Sequence, residues 1–71
     1  MTKSQIEAAI KRNQPFRIRM ADGHEYAVPH RDYIKMSPKG TFVVVMDDEE
    51  HAWVLPLLTM TAIGYEDALS A

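Results

Sequence analysis

The stretch PFRIRMADGHEYAV, residues 15–28, constrains this chain more than any other. Apolar residues alternate with arginine, and the chain then turns at Asp22-Gly23. Period two puts Phe16, Ile18 and Met20 on one side and Arg17, Arg19 and Ala21 on the other. A two-residue Asp-Gly hairpin would pair Met20 with Glu25 and Ile18 with Ala27, sending Tyr26 and Val28 to the arginine face. A three-residue loop, Ala21-Asp22-Gly23 with Gly23 left-handed, pairs Met20 with His24, Ile18 with Tyr26 and Phe16 with Val28. Only the second register makes one coherent apolar face. It is the expected one.

Ahead of this hairpin, Ser4 and Glu7 form an S-x-x-E capping box, and Ile6, Ala9 and Ile10 follow at helical spacing. The expected helix covers about residues 5–12, with Asn13 as a left-handed stop and Pro15 barring continuation. At roughly two turns it must pack its isoleucine face on something. Beyond Pro29, Ser37-Pro38-Lys39-Gly40 has type I turn chemistry, with Pro second and Gly fourth. Thr41 to Met46 is apolar on both faces and reads as a central strand covered twice. Asp47-Asp48-Glu49-Glu50 is an exposed hairpin tip. Trp53 anchors the next strand, Pro56 ends it, and Leu57-Leu58-Thr59 makes a tight 3₁₀-like turn. The tail from residue 66 to 71 frays or adds a short turn.

The extended segments fall at 16–21, 24–28, 33–36, 41–46, 51–55 and 60–65, in one domain of residues 1–71. The expected fold is mainly β: a short N-terminal helix, then a five-stranded antiparallel small barrel closed over by the helix. Its expected core is Phe16, Ile18, Tyr26, Val28, Ile34, Phe42, Val44, Trp53, Val54 and Ile63. The order of helix, strand, Asp-Gly turn and strand resembles the SH3-like and Sm-like small barrels, the Sm-like branch most, over about residues 4–66. The chain also resembles small bacterial proteins reading PF-x-I-x-x-x-D-G-x-x-x-x-V-P-H, a likeness that implies no activity. Sm-like RNA chaperones of bacteria carry Tyr-Lys-His entering the last strand. Here that place reads Leu55-Pro56-Leu57-Leu58, so no residue of that RNA site carries over. The Ala-Leu-Tyr-Asp-Tyr pattern of peptide-binding SH3 domains is missing too.

So short a chain buries only about 60–65% of its unfolded surface, and oligomerisation is a common remedy. With no cysteine, disulfides and thiolate metal sites are excluded. No segment approaches the roughly 18 apolar residues of a membrane span. MTKSQIEAAIKR lacks an apolar signal core, so a cytoplasmic location is expected. All eight Lys and Arg lie in residues 1–40, which carry a net +4, while residues 41–71 carry −6. Such asymmetry can mark an interaction surface, but in so small a barrel the two halves interleave, so a mixed surface is expected ahead of a true basic face.

Each cluster of polar residues has an ordinary reading beside a functional one. Arg17 and Arg19, with Lys35 and Lys39, are candidate phosphate contacts for RNA or single-stranded DNA. Such binding also calls for exposed aromatics, and only Tyr33 and Tyr65 are left outside the expected core. A solvated hairpin face is the better account. His24, Glu25, His30 and Asp32 offer metal-ligand chemistry, yet a strand of roughly 20 Å parts the two histidines. Asp47 to His51 is rich in oxygen donors but has no calcium-loop spacing. A charged tip that discourages edge aggregation explains it better. No nucleophile elbow, phosphate cradle or paired buried carboxylates appear, so neither catalysis nor a cofactor is expected. Leu57, Leu58 and Met60, with Leu69, exceed what one small core holds and are the candidate interface, unless the helix covers them. The favoured function is a non-catalytic module that binds a protein partner or itself. The alternative is RNA or single-stranded nucleic-acid binding through the basic first half.

Overall fold

The computed structural model describes residues 1–65; Leu69 and the expected tail turn lie outside the described residues. Helix α1 spans Lys3–Lys11. Its cap is Thr2 rather than Ser4, and the partner is Gln5 rather than Glu7. The Gln5 amide donates to Thr2 Oγ1 at 3.3 Å and the Thr2 amide donates to Gln5 Oε1 at 2.9 Å. T-x-x-Q and S-x-x-E both satisfy the box chemically. The earlier one starts the helix two residues sooner and still turns Ile6 and Ala9 fully into the core. Asn13, at φ 56°, stops the helix as its side chain allows.

Strands β1 (Phe16–Met20) and β2 (Glu25–Val28) pair antiparallel, with Phe16 opposite Val28 and Ile18 opposite Tyr26. The expected three-residue loop is present: Met20 N–H donates to His24 O and Gly23 N–H to Met20 O, both at 2.9 Å, with Gly23 at φ +90°. After a 3₁₀ turn at Arg31–Tyr33 come β3 (Ile34–Met36), β4 (Phe42–Met46) and β5 (Ala52–Pro56). A second 3₁₀ turn, Leu57–Thr59, leads into β6 (Met60–Tyr65). β6 runs antiparallel to β1, with a bulge where Arg19 gives way to Met20.

Among the described residues the expected five-stranded closed barrel is not formed. There, six strands make two separate three-stranded sheets, ordered β2-β1-β6 and β3-β4-β5. The breaks fall at the prolines. β2 stops just before Pro29 and β5 ends on Pro56, neither of which has an N–H to continue a ladder. A 3₁₀ turn then re-aims the chain into the other sheet. Each sheet therefore mixes strands from the basic and acidic halves of the sequence.

The inner faces of both sheets and the Ile6-Ala9 stripe of α1 share one core. Phe16, Ile18, Val28 and Ile34 are buried in it as expected, and Tyr26 and Ile63 are half-buried against it. Four expected core residues are not inside: Val44 is half-buried on the outer face of its sheet, Phe42 is 39% exposed, Trp53 37% and Val54 63%. Along β4 the burial alternates the other way, with Val43 and Val45 facing in. On β5 the buried residue is Leu55. FVVVM is apolar at every position, so periodicity carries no information about its phase. Neighbours in the sheet decide it: Val43 pairs with Leu55 and Met36, and Val45 with Ile34.

Candidate interaction face

The reversed phase of β4 leaves an apolar surface on the outer side of the second sheet. Phe42, Val44 and Met46 point outward from β4. Pro56, Val54 and Ala52 of β5 stand opposite them in register. Lys35 lies opposite Val44 on β3. A shallow depression of about 370 Å³ on this face is lined by Lys35, Met36, Pro38, Phe42, Val44 and Met46. A second, of about 280 Å³, continues over Lys39 and Thr41. α1 does not cover the face. Its Gln5 and Ala8, with Met1 ahead of it, line a hollow with β6 instead, and its Lys3 Nζ donates to Pro38 O at 3.4 Å.

Both ends of this face are well-built turns. At one end, Gly40 N–H donates to Ser37 O at 2.9 Å, and Ser37 Oγ accepts from the Thr41 and Phe42 amides. Gly40 sits at φ +72° under the Lys3 side chain, where a Cβ would meet Lys3 carbons at 2.7 Å. At the other end, Asp47 Oδ1 accepts from the Glu49 and His51 amides at 3.0 and 2.9 Å. Desolvation, the largest single influence on the Asp47 carboxyl, pushes its pKa up. The hydrogen bonds from His51 and Glu49 together outweigh it and hold the group below its ordinary value. Asp48 Oδ1 accepts a hydrogen bond from the Tyr33 hydroxyl, which together with the carboxylate's charge favours the neutral phenol and raises its pKa. The tip is thus an ordered, acidic rim.

The leucines expected at an interface separate. Leu57 and Met60 are 4% and 5% exposed and belong to the core, whereas Leu58 is 92% exposed. Consecutive residues of a 3₁₀ turn point about 120° apart, so one leucine can fill the core while its neighbour meets water. Leu57 N–H donates to Thr41 O at 3.1 Å, which holds the turn beside the start of β4. Leu58 therefore stands at the same end of the second sheet as Phe42. The β4 residues were missed as interface candidates because an all-apolar strand reads as core.

The four candidate nucleic-acid contacts do not share a surface. Arg17 and Arg19 project from the outer face of the first sheet, and Lys35 from that of the second. Lys39 is in the β3–β4 turn. Glu25 faces both arginines, at 2.7 Å from Arg19 and 3.7 Å from Arg17, and so offsets much of their charge. The Arg19 hydrogen bond, then its charge and that of Arg17, holds the Glu25 carboxyl below the usual glutamate range. A group depressed in this way adds stability above the unfolded pKa, and the contribution fades as pH falls through the folded value. Glu25→Gln is therefore expected to lower the unfolding midpoint slightly near pH 7 and not at all near pH 2. Parallel melts at the two pH values check this; an equal loss at both would mean that the pair contributes nothing through its charge.

The other polar groups sort into local pairs. His24 Nδ1 lies 3.0 Å from Asp22 Oδ2, and His30 accepts the Asp32 amide through Nδ1 at 3.2 Å. The backbone hydrogen bond from His24, then its ring, lowers the Asp22 pKa. Among the described residues, no three His, Asp or Glu side chains gather as a metal-ligand set, and no helix is long and apolar enough to cross a membrane. Compared with known proteins, the chain matches no family model and no curated protein.

Proposed function

We propose that this protein is a non-catalytic interaction module, and that the outer face of β3, β4 and β5 is what it presents to a protein partner. The observation that carries this reading is the uncovered apolar sheet face, with Phe42 39% and Val54 63% exposed and Val44 and Met46 half-buried between them. Contiguous apolar surface on so small a protein is costly in water, by about 25 cal/mol for each Å² that a partner would cover. A rigid sheet also presents its side chains at fixed spacing, which keeps the ordering cost of binding low. The rim supplies charge of both signs, with Lys35 beside the middle of the face, Lys39 toward one end and Glu49 and Glu50 at the other. Rim charge of this kind selects and orients a partner more than it tightens the contact.

The test is a single outward substitution. Val54→Glu places a charge in the middle of the face, on a side chain already mostly in water, and is expected to leave the melting temperature within a few degrees of wild type. It is expected to abolish whatever protein contact the wild-type chain makes, read by comparing co-purified partners and by light scattering. Binding that survives Val54→Glu unchanged would rule out this face. Loss of folding would be uninformative about binding, and Val54→Lys or Val44→Lys then serves in its place.

A further inference from the structure

We infer that the partner fitting this face is a second copy of the same chain, packed face to face with its strands antiparallel; the inference rests on the interaction reading above. The reason lies in where the charges sit. β4 runs from Phe42, beside the turn bearing Lys39, to Met46, beside the turn bearing Asp47, Asp48, Glu49 and Glu50. Five strand residues separate the two turns, about 17 Å at 3.3 Å per residue. The face therefore has a basic end, an apolar middle and an acidic end along one line.

A two-fold axis in the plane of the face, perpendicular to the strands, reverses β4 of one copy against β4 of the other. It lays Val44 and Val54 against their own counterparts and brings the Lys39 turn of each copy over the Glu49-Glu50 turn of the other. The same patch is then used by both copies and is complementary to itself, as a closed dimer requires. An axis along the strands would instead set acid on acid and base on base. Pairing through sheet edges is less suited. β3 has only three residues, and Pro56 of β5 lacks a donor.

The dimensions set the strength. Three strands about 4.8 Å apart and 17 Å long make a face of roughly 14 by 17 Å, which falls short of the about 800 Å² per partner of a standard interface even with its turns included. The dimer is consequently weak and reversible, populated only at high concentration. Its rim charges are exposed, so salt weakens it modestly.

Charge inversion tests the orientation directly. One variant carries Lys39→Glu, reversing the charge at the basic end; the other carries Glu49→Lys and Glu50→Lys, whose two positive charges cancel those of Asp47 and Asp48 and leave the acidic end about neutral. All three side chains are exposed, and Asp47 and Asp48, which hold the tip and Tyr33, are left intact. Sedimentation equilibrium is run from about 10 µM to about 1 mM on wild type, each variant, and their equimolar mixture. The expected result is a wild-type dimer, each variant weakened about tenfold, and dimerisation recovered in the mixture. A dimer that both inversions leave untouched overturns the antiparallel arrangement. A dimer that Val54→Glu does not dissociate overturns both this inference and the face itself. A wild-type chain that stays monomeric throughout overturns the second copy as partner, while a Val54-sensitive contact with another protein would leave the interaction reading standing.

Discussion

Phe16→Ala is expected to cost about 3–5 kcal/mol, whereas Phe42→Ala costs about 1 kcal/mol. The two phenylalanines both stand at the first position of a strand, and the sequence around each is rich in apolar residues. Phe16 is 2% exposed, opposite Val28 on one side and Tyr65 on the other, with its ring centroid 6.5 Å from that of Tyr65. Removing it leaves a cavity where the two edge strands of the first sheet meet the central one. Phe42 is 39% exposed on the outer face, and truncating it removes contact without opening a void. At about 0.05–0.15 kcal/mol per residue, a 71-residue domain holds roughly 4–11 kcal/mol in all. The first substitution therefore removes a large share of the stability, and the second little. Urea unfolding followed by Trp53 fluorescence reads both. A larger loss from Phe42→Ala would mean that β4 is phased the other way, with Val43 and Val45 outside.

The adjacent leucines should behave as differently as two residues can. Leu57→Ala is expected to cost about 2–5 kcal/mol, because the side chain is 4% exposed and plugs the core where β5 turns into β6. Leu58→Ala should change stability by less than about 0.5 kcal/mol, since its side chain is 92% exposed. The glutamate variants widen the contrast. Leu57→Glu buries a charge with no partner and is expected to prevent folding, while Leu58→Glu folds normally. Circular dichroism of the four proteins is sufficient. Equal effects at the two positions would mean that the Leu57–Thr59 turn is rotated from the orientation described.

The same contrast shows what could be read in advance. The first hairpin was legible because its two strands alternate sharply and because one loop length, but not the other, collects Phe16, Ile18, Tyr26 and Val28 on a single side. The six extended segments were legible from their turns: Gly23, the Ser37–Gly40 turn, the acidic tip and the two prolines each interrupt the chain in a way that backbone chemistry dictates. The helix was legible in kind and misplaced by two residues, since two overlapping capping boxes compete for its start. Closure of the strands into a barrel was not legible. Pro29 and Pro56 end ladders, but whether the chain rejoins the same sheet afterwards depends on which strands are close enough to pair.

What the sequence determined by itself, then, is where the helix and extended segments fall, though not the 3₁₀ turn at Arg31–Tyr33 or the number of strands in the fold, and the register of β1 against β2, consequences of local alternation and local turn geometry. The tertiary structure alone decided which side of β4 faces in. Val43, Val44 and Val45 are chemically identical, so only their cross-strand partners, Leu55 and Ile34 on the core side and Val54 and Lys35 on the other, distinguish them. It also decided that Leu57 and Met60 are core while Leu58 is surface, and that Lys35 stands on a different sheet from Arg17 and Arg19. These outcomes rest on contacts between residues far apart in the chain, and a pattern read along the chain holds no record of them. The apolar face proposed for binding has the same origin: it exists because one short helix can close one core, leaving the second side of an all-apolar strand without cover.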